Sequence, residues 1–151
     1  MHIAIESPRT PDVVELLGEH LHDMYATSPA ESVHALDLSA LEHPSISFFT
    51  VREEGQLMGG GALKTHDAAL GEVKSMRTAA PARGRGVASL VLTAVIDLAR
   101  QRGLAELNLE TGTEDYFAPA RRLYERHGFA ERGPFADYTA DPNSTYYGMR
   151  L

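Results

Sequence analysis

The strongest helix prediction in this chain comes from the spacing of apolar side chains near its middle. Over residues 87–102 an apolar residue recurs every three or four positions, and Gly103 follows two arginines as a stop signal. Another helix is predicted to begin at Pro11, with Thr10 as its N-cap. The apolar faces are Leu90, Val91, Ala94, Val95, Leu98 and Ala99 in the first helix, and Val13, Val14, Leu17, Leu21 and Met24 in the second.

Short segments with strand-like patterns surround these helices. Strands are predicted over residues 3–5, 46–52, 57–64, 71–78, 104–109 and 145–151, a helical turn over 39–43 and a further helix over 117–127. This order predicts an α/β (α+β) fold, with a mixed, mostly antiparallel central sheet and helices on both faces. Because no repeat or linker interrupts the pattern, residues 1–151 are predicted to form a single domain.

Composition narrows the class of protein. A hydrophobic fraction of 43% with 23% charged residues is typical of a folded chain. The chain has no cysteine, which excludes disulfides, thiolate catalysis and cysteine-ligated zinc. Its start lacks the features of a signal peptide, and no apolar run approaches the ~20 residues of a membrane span. We therefore expect a cytoplasmic protein without a membrane partner.

Charge is unevenly distributed along the chain. The net charge of −7 argues against a nucleic-acid partner, which a clustered basic face would attract. Residues 74–102 nevertheless contain six basic residues and one acid, Asp97. A small polyanion would be drawn to this zone. No metal site is expected, since His20 and His22 are two positions apart on a predicted helix and face different sides.

The most informative segment lies between the strand predicted over 71–78 and the helix predicted from residue 87. Its sequence is Arg83-Gly84-Arg85-Gly86-Val87-Ala88. The glycines allow the backbone to approach a ligand, and the first N–H groups of the helix have no intrahelical partner, which favours a phosphate there. A dinucleotide-binding loop would need a third glycine where Ser89 stands, and a P-loop would need Gly-Lys-Ser/Thr. A glycine-rich turn without a ligand remains the alternative.

Two motifs carry a resemblance to the GNAT-type N-acetyltransferases. Arg83, Gly86 and Ala88 fit the family's pyrophosphate loop, (Gln or Arg)-x-x-Gly-x-(Gly or Ala). Residues 120–129 are similar to the family's Ala-x-x-Leu-Tyr-x-x-x-Gly-Phe helix. The resemblance covers residues 46–151, and the loops at 28–37 and 134–144 resemble a bacterial subgroup of small, mostly uncharacterised acetyltransferases. Two departures stand out: Pro81 is one place later than the family's proline, and Phe117 occupies the place of an asparagine that contacts pantetheine.

The resemblance implies a fold, a cosubstrate and roles for particular residues. The fold would be that of the acyl-CoA N-acyltransferases, and the cosubstrate acetyl-CoA. Tyr124 matches the family position that protonates the leaving thiolate, for which a phenol is suited because its ordinary pKa is ~10. Glu72 matches a glutamate that removes the amine proton through water in several relatives; Glu110, His34 and bulk water remain alternatives. The residues that would contact acetyl-CoA are Met76, Thr78, Arg83, Gly84, Arg85, Gly86, Val87, Ala88 and Phe117.

Acceptor recognition is expected from the two loops that border the acceptor groove in this fold. Ser32, His34, Asp137 and Tyr138 are the candidates, with ordinary turn residues as the alternative. The predicted function is acetyl transfer from acetyl-CoA to a primary amine of a small molecule. The alternative is a non-catalytic sensor or partner domain that binds acetyl-CoA. Homodimers are common among similar proteins.

Overall fold

The computed structural model describes residues 1–151, with seven strands in one sheet. The strand order is β1-β2-β3-β4-β5-β7-β6, and only β4 and β5 run parallel. This confirms the predicted mixed, mostly antiparallel sheet. The strands are β1 His2–Ile5, β2 Ile46–Glu53, β3 Gln56–Thr65, β4 Leu70–Thr78, β5 Glu106–Gly112, β6 Ala130–Arg132 and β7 Ser144–Arg150; the helices are α1 Pro11–Thr27, α2 Leu38–Leu41, α3 Val87–Gln101 and α4 Ala118–Arg126.

Helices cover both faces of the sheet, because alternate strand residues point to opposite sides. On one face, Leu63 of β3 belongs to the main core with buried residues of α3 and α4, such as Val91 and Leu123. On the other, the neighbouring Ala62 packs with Val13 of α1 in a smaller core. None of the helices has the length and apolar character needed to cross a membrane.

Strands β4 and β5 separate soon after they meet. Their paired residues are Leu70–Glu72 with Glu106–Asn108, although both strands continue well beyond this stretch. The β3–β4 register also shifts between Gly60 and Ala62, and Ser75 on β4 has a φ of 55°. The separation opens a cleft at the carboxyl ends of the two parallel strands, where ligands commonly bind in α/β sheets.

Glycines in β3 allow the start of α3 to approach the sheet closely. A Cβ atom built on Gly59 would lie 2.7 Å from Val87 Cγ1 and 2.7 Å from the carbonyl oxygen of Arg77. Gly61 is similarly crowded by the Met76 and Val91 side chains. Side chains at these two places would push α3 and the irregular part of β4 away from β3, so the glycines help to set the position of the cleft.

Helix α1 begins at Pro11 with Thr10 as its N-cap, as predicted, although the Thr10 hydroxyl donates to the Ser7 carbonyl oxygen at 2.9 Å and makes no capping hydrogen bond. Other details differ from the predictions. In α3, Leu90 is 42% exposed, whereas Leu92 and Ile96 are buried. The helical period predicted for α3 was right, but its buried face is rotated relative to the predicted one. The prediction chose the wrong face because apolar residues lie on both sides of this helix. Strand β6 was missed, since its three residues are all exposed and carry no apolar pattern.

Candidate active site

The turn between β4 and α3 presents a row of backbone donors. Gly84 and Gly86 have φ values of 78° and 81°, in the left-handed region that glycine adopts without penalty. Gly86 is the N-cap of α3 and offers no capping side chain. Five N–H groups have no acceptor within the protein, and the positive end of the helix dipole adds to their attraction for an anion. They belong to Gly84, Gly86, Val87, Ala88 and Ser89.

This turn borders a cavity of about 580 Å³ between β4, α3 and α4. Its walls combine apolar side chains with the cationic side chains of Arg83, Arg122 and Arg126. Unpaired N–H groups, arginines and an apolar channel suit the pyrophosphate and the pantetheine arm of acetyl-CoA. Of the residues predicted to contact the cosubstrate, those lining the cavity are Met76, Thr78, Arg83, Gly84, Gly86, Val87, Ala88 and Phe117.

Arg85 does not join them. Its guanidinium pairs with Glu53 at 2.7 Å, and the residue does not line the cavity. Its backbone N–H is also used, because it donates to the Ala82 carbonyl oxygen at 3.3 Å. Arg85 therefore ties the turn to the end of β2, leaving Arg83 as the cation of this turn on the cavity wall.

Tyr124 lies on α4 at the point where two cavities meet. The residue is buried, and its ring packs near the rings of Phe129 and Tyr147, with centroids 5.9 and 6.4 Å away. Burial raises the pKa of the Tyr124 hydroxyl to about 12. The phenol is therefore fully protonated at neutral pH and is chemically suited to give a proton to a thiolate.

The second cavity has a volume of about 110 Å³ and adjoins the first. The residues that line both cavities are His20, Met24, Met76, Phe117, Ala120 and Tyr124. Those that line the smaller one alone are more polar and include His34, Glu72, Lys74, Ser75, Glu110 and Thr111. The Ser75 hydroxyl is buried without a hydrogen-bond partner. This small chamber shares its Tyr124 wall with the larger cavity and has room for a small second substrate.

Glu72 is enclosed in a network of side chains on the chamber wall. It is only 1% exposed, and Oε1 lies 2.7 Å from His66 Nε2. Oε2 accepts a hydrogen bond from the Tyr138 hydroxyl at 2.7 Å and lies 3.3 Å from Lys74 Nζ. Lys74 Nζ also donates to the Tyr138 oxygen at 2.9 Å. Burial raises the pKa of Tyr138, and the negative charge of Glu72 raises it further, so Tyr138 acts as a donor in this network.

His34 and Glu110 form a separate pair on the same wall. His34 Nδ1 lies 2.5 Å from Glu110 Oε2, which also accepts the Ser144 hydroxyl at 2.8 Å. The loop that carries His34 is held to the sheet, because the His34 carbonyl oxygen accepts a hydrogen bond from Lys74 Nζ at 3.0 Å. The pair joins the segment after α1 to the end of β5.

The remaining acceptor candidates lie outside both cavities. Asp137 is exposed, and Ser32 is buried with its hydroxyl 3.3 Å from the Asn143 side-chain nitrogen. Tyr138 does not line the chamber itself, but it contacts two residues that do, through its hydroxyl to Glu72 and its ring to His34. The structure thus brings together His34, Glu72 and Tyr124, but not Asp137 or Ser32, because the turn that precedes β7 directs Asp137 towards solvent.

Sequence reasoning missed His20, which lines both cavities from α1. Burial lowers its pKa to about 4, and the nearby charge of Arg77 contributes, so the imidazole is neutral at neutral pH. A signal was available: His20 falls three residues after Leu17 and four before Met24, on one face of the helix. No group of three or more histidine, aspartate and glutamate side chains is arranged to hold a metal ion.

Comparisons with known proteins identify related acetyltransferases. The family model of the GNAT acetyltransferases matches residues 11–129. The chain is 48% identical over 151 residues to the uncharacterised N-acetyltransferase YsnE of Bacillus subtilis, covering 100% of both chains. It is 43% identical to an IAA acetyltransferase of Azospirillum brasilense, covering 95% of this chain and 94% of that protein.

A solved structure supports the same assignment. A crystal structure from Klebsiella pneumoniae, described as an acyl-CoA N-acyltransferase, matches with a TM-score of 0.84 and 29% identity, over 99% of this chain and 97% of that one. The predicted fold, enzyme class and acetyl-CoA cosubstrate are confirmed, and the sensor alternative falls away. The chain belongs to the GNAT family of acetyltransferases.

Proposed function

We propose that this acetyltransferase transfers the acetyl group of acetyl-CoA to the primary amine of a small molecule held in the smaller chamber. The observation that carries the proposal is the meeting of the two cavities at Tyr124. The larger one suits a long polyanion with an apolar arm. The chamber of about 110 Å³ is matched to a compact polar molecule rather than to a peptide segment.

The polar groups of the chamber favour an amine. Glu110 supplies a negative charge that would attract an ammonium group, and Glu72 is balanced by Lys74 at 3.3 Å. The unpartnered Ser75 hydroxyl would gain a hydrogen bond from a polar substituent on the same molecule. A compact amine that carries a hydroxyl or amide group meets both requirements.

The proposed chemistry assigns Tyr124 the role of acid. Direct attack of the amine on the thioester requires that the nitrogen lose its proton and that the departing thiolate receive one. Tyr124 stands where both cavities are in reach and holds its proton, because its pKa is about 12. Met76 and Thr78 lie on the stretch of β4 that β5 does not pair, where the backbone is proposed to hold the acetyl carbonyl and the pantetheine arm.

An acceptor panel tests the proposal. The purified protein is incubated with acetyl-CoA and, in separate reactions, with ethanolamine, amino-acid amides, a polyamine and peptides with free N-termini. We expect thiol release above the acceptor-free rate with one or more of the compact amines, and mass spectrometry should identify the acetylated amine. Acetylation restricted to peptide N-termini or protein lysines would refute a small-molecule acceptor, as would thiol release that no acceptor accelerates.

A further inference from the structure

We infer that His34 accepts the proton of the acceptor amine. Glu110 orients the His34 ring for this task and stabilises its protonated form. The inference rests on the proposed function, because it concerns the amine bound in the smaller chamber. His34 and Glu110 both line that chamber, and Tyr124 lines it too. The proton acceptor and the proton donor of the reaction would therefore face one small volume.

The hydrogen bonds determine which nitrogen of His34 is available. Glu110 Oε2 already accepts the Ser144 hydroxyl at 2.8 Å, and an ionised carboxylate can only accept. The contact of 2.5 Å with His34 Nδ1 therefore requires a proton on Nδ1. In the neutral ring Nε2 then carries the free lone pair, on a side chain that lines the chamber. A carboxylate that accepts the hydrogen bond from Nδ1–H also stabilises the imidazolium that forms when Nε2 is protonated.

His34 is held firmly although it lies in a loop. Its carbonyl oxygen accepts from Lys74 Nζ at 3.0 Å, and its ring contacts the Tyr138 ring edge-on, with centroids 5.1 Å apart. The side chain of His34 is 32% exposed and that of Glu110 is 11% exposed. The imidazole can thus exchange its proton with solvent between turnovers, while the carboxylate that orients it stays sheltered.

Glu72 is less suited to the same task. Both of its oxygens have donors, from His66 on one side and from Tyr138 and Lys74 on the other. A carboxylate that already accepts these bonds would have to give one up before it could take a proton from an amine or a bridging water. Its network instead holds the chamber wall, including the Lys74 side chain that supports the His34 loop.

The protons balance over one turnover. The ammonium form of the acceptor gives one proton to His34 Nε2, and the neutral nitrogen forms a bond to the carbonyl carbon of the thioester. When the carbon–sulfur bond breaks, Tyr124 gives its proton to the thiolate and regains one from the nitrogen of the adduct. The products are the amide, coenzyme A with a free thiol and one proton, which His34 releases to solvent.

Charged and titratable groups surround His34 from every neighbouring element. Glu110 faces it from β5, Lys74 and Glu72 from β4, Tyr138 and Asp141 from the segment before β7, and His20 from α1. The experiment therefore compares acceptors that differ in their own need for a base, rather than relying on a pH profile alone.

The kinetic test uses two probe amines. Ethanolamine is an ammonium ion at neutral pH and needs a base, whereas hydroxylamine is largely neutral and does not. His34→Asn retains a side-chain N–H for Glu110 but lacks the second nitrogen. With ethanolamine, we expect kcat/KM to fall by at least ~100-fold, as for the loss of a general base. With hydroxylamine we expect a change of only a few-fold. Glu110→Gln should reduce the ethanolamine rate less than His34→Asn does.

Matched variants separate this role from others. His43→Asn makes the same change at an exposed histidine that bonds only to its neighbour Ser45, and it should leave both rates unchanged. Glu72→Gln, once thermal unfolding has shown that it is folded, should change the rates with the two amines to the same extent. If Glu72→Gln discriminates and His34→Asn does not, Glu72 is the base and the inference is overturned. Equal losses with both amines in His34→Asn would also overturn it.

An NMR measurement tests the inference without turnover. With ¹⁵N-labelled histidine, neutral His34 should show its proton on Nδ1, and Glu110→Gln should alter the Nδ1 signal. A neutral ring protonated on Nε2 would overturn the inference. Because this measurement needs no acceptor, it stays decisive if neither probe amine is acetylated, an outcome that would count against the proposed acceptor class instead.

Discussion

At the scale of single residues, the chemistry depends on environment more than on residue type. The chain contains six tyrosines, and the one that lines both cavities is Tyr124. Burial raises the pKa of its hydroxyl. Burial is the only cause of the shift, which means that the hydroxyl is not committed to a protein carboxylate as Tyr138 is. Tyr124 keeps its proton at neutral pH and remains free to donate it.

We predict that Tyr124→Phe lowers kcat by roughly a hundred- to ten-thousandfold, the usual contribution of general acid catalysis. The Kd for acetyl-CoA should change little, since the hydroxyl acts on the departing thiolate. The melting temperature should also change little, because the Tyr124 hydroxyl makes no hydrogen bond to another group of the protein. Steady-state kinetics, calorimetry and thermal unfolding measure these three quantities. Wild-type kcat in a reaction limited by chemistry would remove Tyr124 from the mechanism.

At the scale of elements, the key feature is the way α3 begins. Gly86 ends the turn in the left-handed region, and the next N–H groups point into the larger cavity without partners. Gly59 lets Val87 approach β3, so the donors lie beside the separated strands rather than above a closed sheet. The location of the anion site therefore follows from helix geometry and sheet geometry together.

We predict that Gly86→Asp weakens acetyl-CoA binding by at least about tenfold relative to Gly86→Asn. Asparagine and aspartate share a shape and a tolerance for the left-handed region, so their difference isolates the charge. Like charges about 4 Å apart repel by roughly 1 to 4 kcal/mol, and ~1.4 kcal/mol is a factor of ten in affinity. Calorimetric titration of both folded variants gives the two Kd values. Equal Kd values would place the pyrophosphate elsewhere.

At the scale of the whole molecule, one arginine joins strand β2 of the sheet to the first helix. Arg52 on β2 donates to both oxygens of Glu6 at 3.0 and 2.7 Å, and to both oxygens of Asp12 on α1 at 2.8 and 2.9 Å. Hydrogen bonds from Arg52 are the largest cause of the lowered pKa of each carboxyl. Two bidentate contacts from one planar guanidinium fix the start of α1 against β2.

We predict that acid weakens the fold in part through this group. Because both pKa values are lowered, the contribution to the free energy of unfolding is complete above the ordinary values of 4.5 for Glu6 and 3.8 for Asp12. It is lost as pH falls below those values through the folded pKa values. Arg52→Ala should cost about 1 to 2 kcal/mol at neutral pH and reduce the acid dependence of stability.

Urea denaturation at neutral and acidic pH measures this effect. Arg9→Ala is the control, since Arg9 pairs with Glu42 on the surface and both side chains are well exposed. It should change stability by no more than about 0.5 kcal/mol. An Arg52→Ala protein with the same acid dependence as the wild type would show that other carboxyls control acid unfolding.

The sequence by itself determined the elements and motifs whose signals are local. The period of α3 follows from residues within a few turns. The glycines of the turn between β4 and α3, and the helix with Tyr124, each lie in a continuous segment. These features depend on backbone sterics and on the helical repeat, which neighbouring residues specify. Which side of α3 packs against the sheet is not specified by neighbouring residues. This is why Leu90 was predicted on the buried face although it is exposed.

Only the tertiary structure decided which polar residues meet. His34 and Glu110 are 76 positions apart, and their contact depends on where the loop after α1 crosses the open end of β5. The partners of Glu72 come from β4, the loop before it and the turn before β7, and they change an exposed-looking carboxylate into an enclosed one. Asp137 was separated from the site by the same turn that delivered Tyr138 to it. Such contacts follow from strand order and from the separation of β4 and β5, which no short stretch of sequence encodes.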